Sequence, residues 1–323
     1  MAPTPSLDER LARLHRLGQD DPTSAEAIEH LRGALKLKTN LVIAKAADLV
    51  GEHEIESLGK AVAAAFTRLI AAPAKQDPGC VAKTSCARAL GAMPGFRFEA
   101  RDAVFAPGLR HVQMEPVYGG RVDTAGELRG VCIHGLALAG DPRAMSLAAD
   151  LLADPEPAAR RGAVHAAGLS STAAVPLIRL AVRKGEDHPD VLHEMLTALI
   201  DLEPDEGFAL VREVLDETER GDTAALVLGE SGHEQALAVL TDTLGRTLDT
   251  SSRSILITAI AMLRHAASRR FLLELIREGS QGDAEQTIQA LSYFKHEDGL
   301  LACIREVAAG RGLDRHIAQA FGE

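Results

Sequence analysis

The sequence predicts an all-α solenoid of about seven to eight helical hairpins, and three observations carry that expectation. One motif is written twice: Asp123, Arg129 and His134, then Asp154, Arg160 and His165, each an Asp with Arg at +6 and His at +11. Asp77, Asp123, Asp154 and Asp187 mark a register whose last two intervals are 31 and 33 residues, the length of a two-helix repeat. Composition agrees: aromatics are 3% and Trp is absent, while Ala and Leu dominate, a balance that favours close helix-on-helix packing over a sheet. With 323 residues, 46% of them hydrophobic, the chain holds more apolar material than one globular core takes. An array in which each hairpin buries its face against its neighbours accommodates it, so one elongated body over 1–323 without separable domains is expected.

The elements follow in order. Residues 6–16 read as a helix, because Ser6 and Glu9 make a capping-box pattern and Leu7, Leu11, Leu14 and Leu17 share a face. The segment 1–23 is thus expected to cap the first repeat. A turn at 19–24 and a helix at 28–37 come next, and then helix pairs alternate with short turns. The second helix of each pair aligns at 40–51, 78–92, 124–139, 155–168, 189–202, 219–229, 251–266 and 283–294. The register weakens after residue 215, where Asp222 takes the basic position.

The stretch DPEPAARRGAVHAAG, 154–168, resembles the second helix of a HEAT repeat, particularly the short subtype of phycobilisome-lyase-like proteins. The resemblance covers about residues 40–300. It implies an α-solenoid with the second helices on the concave side, and an Asp-to-basic ladder between repeats. Here the ladder would be Asp77/Lys83, Asp123/Arg129, Asp154/Arg160 and Asp187 with His193. Such pairs read as structural, since each satisfies a partner charge and a helix N-terminus. The resemblance implies no activity, because repeat architecture serves many tasks.

Positions one and five after the basic residue share a helix face turned from the core: Thr84 and Arg88, Gly130 and His134, Arg161 and His165, Glu194 and Ala198. On a concave side they would form a cationic, His-bearing strip. That strip is either a binding surface, as such faces commonly are, or an ordinary solvated helix face. Beside it the period breaks, for Asp77 to Asp123 spans 46 residues. The helix 98–104 is expected there, followed by a long inserted loop over 107–122 punctuated by Gly and Pro. Four of the ten aromatics, Phe96, Phe98, Phe105 and Tyr118, fall in 93–123, together with Arg110, His111, Gln113, Glu115 and Arg121. An Arg- and Tyr-bearing loop on a rigid scaffold suits recognition, although it could equally pack its aromatics onto the solenoid edge. RHVQMEPVYGGRVDTA is similar to bacterial HEAT-repeat proteins of unassigned role.

Enzymatic readings find less support. Deoxyhypusine hydroxylase, a HEAT-type enzyme, holds two irons with His-Glu pairs, and this chain has four such dipeptides at His53, His193, His233 and His296. Only His193-Glu194 falls inside a second helix, and ligands spread along a solenoid do not converge. A glycosylase of the alkylpurine type needs an aromatic cleft and a basic face, which a chain with no Trp, two Tyr and net charge −11 supplies poorly. A bilin lyase follows from repeat subtype alone, and no Walker, dinucleotide, H-E-x-x-H or G-x-S-x-G motif is present. Residues 1–130 carry 17 Lys+Arg against 16 Asp+Glu, net +1, and residues 131–323 carry 18 against 30, net −12. The acidic total disfavours a general nucleic-acid binder. Four cysteines without a C-x-x-C pair, no signal peptide and no apolar window of membrane length point to a soluble cytoplasmic protein.

The expected function is therefore a non-catalytic scaffold without cofactor or metal, its oligomeric state left open. A protein partner, acidic or phosphorylated at the contact, would meet the strip through Arg88, His134, Arg161 and His165. The 107–122 loop would serve as a gate or clamp, contributing Arg110, His111, Glu115, Tyr118 and Arg121. The alternatives are a HEAT-type enzyme, hydroxylase-like or glycosylase-like, or nucleic-acid binding.

Overall fold

The apolar periodicity resolves into helices joined by short turns in the computed structural model, which describes residues 5–169, 172–233 and 235–322. The chain divides into two compact units, Met1–Lys184 and Gly185–Glu323. The first begins with α1 (Leu7–Gln19), whose capping box is formed: the Glu9 N–H donates to Ser6 Oγ and the Ser6 N–H to Glu9 Oε2, at 3.2 and 2.7 Å. Then come α2 (Ala25–Leu35), α3 (Asn40–Glu52), α4 (Gly59–Ile70) and α5 (Val81–Ala92). A helical stretch, α6 (Arg97–Ala100), a π turn (Arg101–Phe105) and α7 (Ala106–Leu109), leads to a β-hairpin of β1 (Met114–Val117) and β2 (Gly120–Asp123). The unit closes with α8 (Gly126–Leu138), α9 (Ala144–Leu151), α10 (Pro157–Gly168) and α11 (Val175–Arg183).

Two rows result. The inner row runs α1, α3, α5, α8, α10, each helix packed on the next. The outer row holds α2, α4, α6 with α7, α9 and α11. Core residues such as Leu31, Ile43, Phe66, Leu90, Phe105 and Ile133 are fully buried between the rows. Within the inner row the helices meet on small residues. A Cβ on Gly162 would lie 2.2 Å from Gly130 Cα, and one on Gly130 would lie 2.7 Å from the Ala158 carbonyl oxygen. Glycine at both places allows α8 and α10 to touch backbone to backbone.

The second unit repeats the plan with an inner row of α12 (Pro189–Leu202), α14 (Gly221–Ser231), α16 (Thr250–Met262), α18 (Gln281–Ser292) and α20 (Asp314–Phe321). Its outer row is α13 (Pro204–Leu215), α15 (Ala236–Arg246), α17 (Ala266–Glu278) and α19 (Leu300–Ala308). Each unit holds four complete outer–inner hairpins among the described residues, so the chain is an all-α, solenoid-like helical repeat. No described helix is long and apolar enough to cross a membrane.

The eight second helices lie within a few residues of their expected bounds. The insertion differs from expectation, because 107–122 is not a long loop. Its first residues complete α7, and the rest pairs in register Met114↔Asp123, Glu115↔Val122, Pro116↔Arg121 and Val117↔Gly120. A two-residue turn, Tyr118-Gly119, closes it with Gly119 at φ +88°, a conformation that glycine adopts without strain. Of the glycines that punctuate the segment, Gly119 lies in the hairpin's turn and Gly120 opens β2.

Candidate functional site

Three Asp residues of the register, Asp77, Asp123 and Asp154, each organise a helix start. Asp77 accepts from the backbone N–H of Ala82 and Lys83 at 2.9 and 3.0 Å at the head of α5. Asp123 accepts from Ala125 N–H at 3.0 Å before α8, and Asp154 from Glu156 N–H at 2.9 Å before α10. The basic residues then join repeats. Arg129 binds Asp123 at 2.7 Å within its own repeat and Asp154 bidentately at 2.8 Å in the next. Arg160 donates to the Asp154 carbonyl at 2.9 Å. Lys83 and Asp77 form a fully buried pair at 3.3 Å.

This ladder also anchors the hairpin. Gln113, just before β1, accepts from Lys83 Nζ at 2.9 Å and donates to the Asp77 carbonyl and to Glu115 Oε1. Glu115 Oε1 also accepts from Gly79 N–H and Thr124 Oγ1, both at 2.8 Å. Desolvation pushes the Glu115 carboxyl up, but the hydrogen bonds from Gln113, Gly79 and Thr124 outweigh it and hold the group below the usual carboxylate range. His111 lends its carbonyl to Arg129 at 2.9 Å, and desolvation keeps its imidazole below the usual range. Two of the five loop residues expected to recognise a partner, His111 and Glu115, therefore face the scaffold. Arg121 donates across the hairpin to the Met114 carbonyl at 2.8 Å. Arg110 is exposed at the end of α7, and Tyr118 stands fully exposed at the tip.

The strip residues do converge. Arg88 of α5, His134 of α8, and Arg161 and His165 of α10 line one groove of about 400 Å³. Two strip positions differ from expectation: Thr84 is buried, and Gly130, itself buried, borders the groove only where α8 meets α10. Tight helix approach consumes that part of the face. Glu194 and Ala198 belong to the second unit. No residue of 107–123 lines the groove.

Two groove residues escaped the sequence reading. Arg97 donates to the Gly91 carbonyl at the end of α5 at 2.7 Å, a position that favours a cation. Glu127, in the first turn of α8, is 3.1 Å from Arg88 and 3.5 Å from Arg161. The spacing Glu127, Gly130, His134 is i, i+3, i+7, so following the helix face one turn further back would have found it. The His134 and His165 rings meet edge to face, with centroids 6.5 Å apart. Desolvation first, then His165 and Arg97, holds His134 below the usual imidazole range.

Other candidates separate. His193 pairs with Glu230 at 2.8 Å, and Glu234 of the His233 dipeptide lies outside the described residues. Among the described residues no group of three His, Cys, Asp or Glu side chains is placed to hold a metal. Burial raises the thiols of Cys86 and Cys132 and lifts Cys80 to about 11, which leaves them poor nucleophiles.

Fold and site together define a helical-repeat protein with a cationic groove on one face of three inner helices. No protein-family model matches the chain, and no curated protein matches it. Among solved structures it is similar to an engineered protein at 14% identity, covering 99% of this chain and 95% of that one, with a TM-score of 0.34. It is also similar to the CpcE–CpcF complex of phycocyanin lyase from Nostoc sp. PCC7120, at 16% identity over 86% of this chain and 94% of that one, TM-score 0.40.

Proposed function

We propose that the protein is a non-catalytic HEAT-like scaffold that binds an acidic or phosphorylated segment of a protein partner in the Arg88–His134–Arg161–His165 groove. The observation that carries this reading is convergence. Three arginines and two histidines, drawn from α5, α6, α8 and α10, surround one concave space whose only lining carboxylate among the described residues is Glu127. Arginine forks suit carboxylate and phosphate oxygens, and the small residues Gly91, Gly130 and Gly162 leave the groove open to an extended chain. The hairpin is a second contact in this reading, with Tyr118 at its tip and a base held rigid by Gln113 and Glu115.

The test is affinity capture from the native lysate with wild type and with an Arg88→Glu/Arg161→Glu variant. Both side chains are substantially exposed, so the variant is expected to fold. A discrete protein held by wild type and lost from the variant supports the groove. Equal capture by both removes it and moves attention to the hairpin tip. Recovery of nucleic acid that salt releases would replace the protein partner with a polyanion.

A further inference from the structure

Glu127 occupies the place a ligand would take. Its Oε1 accepts from Arg88 Nη2 and its Oε2 lies near Arg161 Nη2, so one carboxylate spans guanidinium groups from helices on either side of its own. We propose that the species entering the groove is a phosphate monoester on the partner segment, which displaces Glu127 from Arg88 and Arg161, and that Glu127 thereby excludes plain carboxylates. This rests on the groove reading above and narrows it from acidic or phosphorylated to phosphorylated.

The reasoning is one of competition. An incoming carboxylate has the charge and the two acceptor oxygens that Glu127 already supplies. Glu127 is tethered and pays no translational cost, so the exchange gains nothing. A phosphate monoester carries about −1.5 to −2 charges and three terminal oxygens. It can replace both contacts and still offer an oxygen to Arg97 or His134, which line the same groove. Releasing Glu127 costs little, since its side chain is already 45% exposed. The charged and titratable groups then facing the ligand are Arg88 from α5, Arg97 from α6, His134 from α8, and Arg161 and His165 from α10. Once Glu127 has swung out, no other carboxylate among the described residues lines the space.

Calorimetric titration of the full chain with phenyl phosphate and with phenylacetate tests this. Wild type is expected to bind phenyl phosphate and not phenylacetate. Glu127→Gln should bind phenyl phosphate about fivefold tighter, the gain from removing a competing ion-pair contribution of roughly 1 kcal/mol. It should also acquire phenylacetate binding, and Arg88→Gln/Arg161→Gln should lose both. Glu127→Ala repeats the test without an amide that could keep the arginine contacts. Unchanged or weaker phosphate binding in both Glu127 variants overturns the proposal, as does wild type binding the two probes equally. Absence of anion binding in every form, with partner capture still dependent on Arg88 and Arg161, overturns the phosphate proposal alone. Capture indifferent to both arginines overturns the groove reading itself.

Discussion

Arg129 in the first unit and Arg253 in the second make the same joint under different burial. Each grips the Asp of the following repeat bidentately, Asp154 at 2.8 Å and Asp283 at 2.9 Å, and each donates to a carbonyl six or more residues back or across a turn. The Arg129 side chain is 5% exposed and that of Arg253 is 23% exposed. Arg129 also holds Asp123 and the His111 carbonyl, so its joint carries the hairpin, whereas Arg253 binds the carbonyls of Leu244 and Thr247 besides Asp283. Charge differs in step. Residues 1–184 carry 23 Lys+Arg against 20 Asp+Glu, net +3, and residues 185–323 carry 12 against 26, net −14. The same kind of joint serves each unit, but the first carries a net positive charge and the second a large negative one, and the groove is made from cations of the first.

The largest effect that would break the comparison is at the joints. Arg129→Met leaves Asp123 and Asp154 without their cation in a mostly dry setting and should cost about 3–5 kcal/mol, as removing one partner of a buried pair does. Arg253→Met, in a wetter site, should cost about 1–2 kcal/mol. Denaturant melts give the totals. Hydrogen exchange should localise the first loss to α8, α10 and residues 111–124, and the second to α16 and α18. Equal losses would mean that the burial difference has no energetic consequence.

Packing comes next. Gly162→Ala drives a methyl into the Gly130 backbone and should cost about 1–3 kcal/mol. Gly245→Ala in α15, where an added Cβ meets nothing within 4 Å, should gain about 0.5–1 kcal/mol by removing a flexible helical glycine. Thermal melts of the two variants should move in opposite directions.

Acid should weaken both units. Desolvation raises the Asp123 carboxyl, but hydrogen bonds from the backbone of Gln113 and Ala125 and from Arg129 bring it below its usual value. Arg253 lowers Asp283, and Arg143 brings Asp141 to about 2. Because these folded values lie below the unfolded ones, the native state binds fewer protons. The stability they give is present above pH about 4 and is lost as pH falls toward about 2. Asp123→Asn and Asp283→Asn should each flatten that fall in a pH series of melts.

The smallest effect concerns His134. Its imidazole is held below the usual range by desolvation, His165 and Arg97, and an anion in the groove would favour the charged ring. Binding should then take up a proton, so affinity rises as pH falls from about 8 to about 6. Sulfate, a dianion across that range, is the probe, and His134→Gln should make its affinity flatter with pH.

Much of the scaffold was legible in the chain because its causes are local and periodic. The Asp residues that cap α5, α8 and α10, the Ser6–Glu9 box and the apolar spacing of the second helices depend on neighbours within two turns, and sequence order supplies those neighbours. The Arg253–Asp283 joint was missed because Asp222 breaks the register and the residue at the Asp position before Arg253 is Thr247, which contributes a carbonyl that any residue possesses. The hairpin was missed because its base is held by Gln113 and Glu115 reaching Asp77, Lys83 and Gly79, 30 to 36 residues earlier.

By itself, the sequence determined the class of the fold, the order of its helices and which side chains could face out of α5, α8 and α10. Only the tertiary structure decided that Arg88, His134, Arg161 and His165 share one groove, that Thr84 is buried, and that Glu127 sits between two arginines. The physical reason is distance. A periodic pattern fixes the face on which a side chain lies, but the approach of neighbouring helices, here set by Gly130 against Gly162, determines which faces close and which remain open to a ligand.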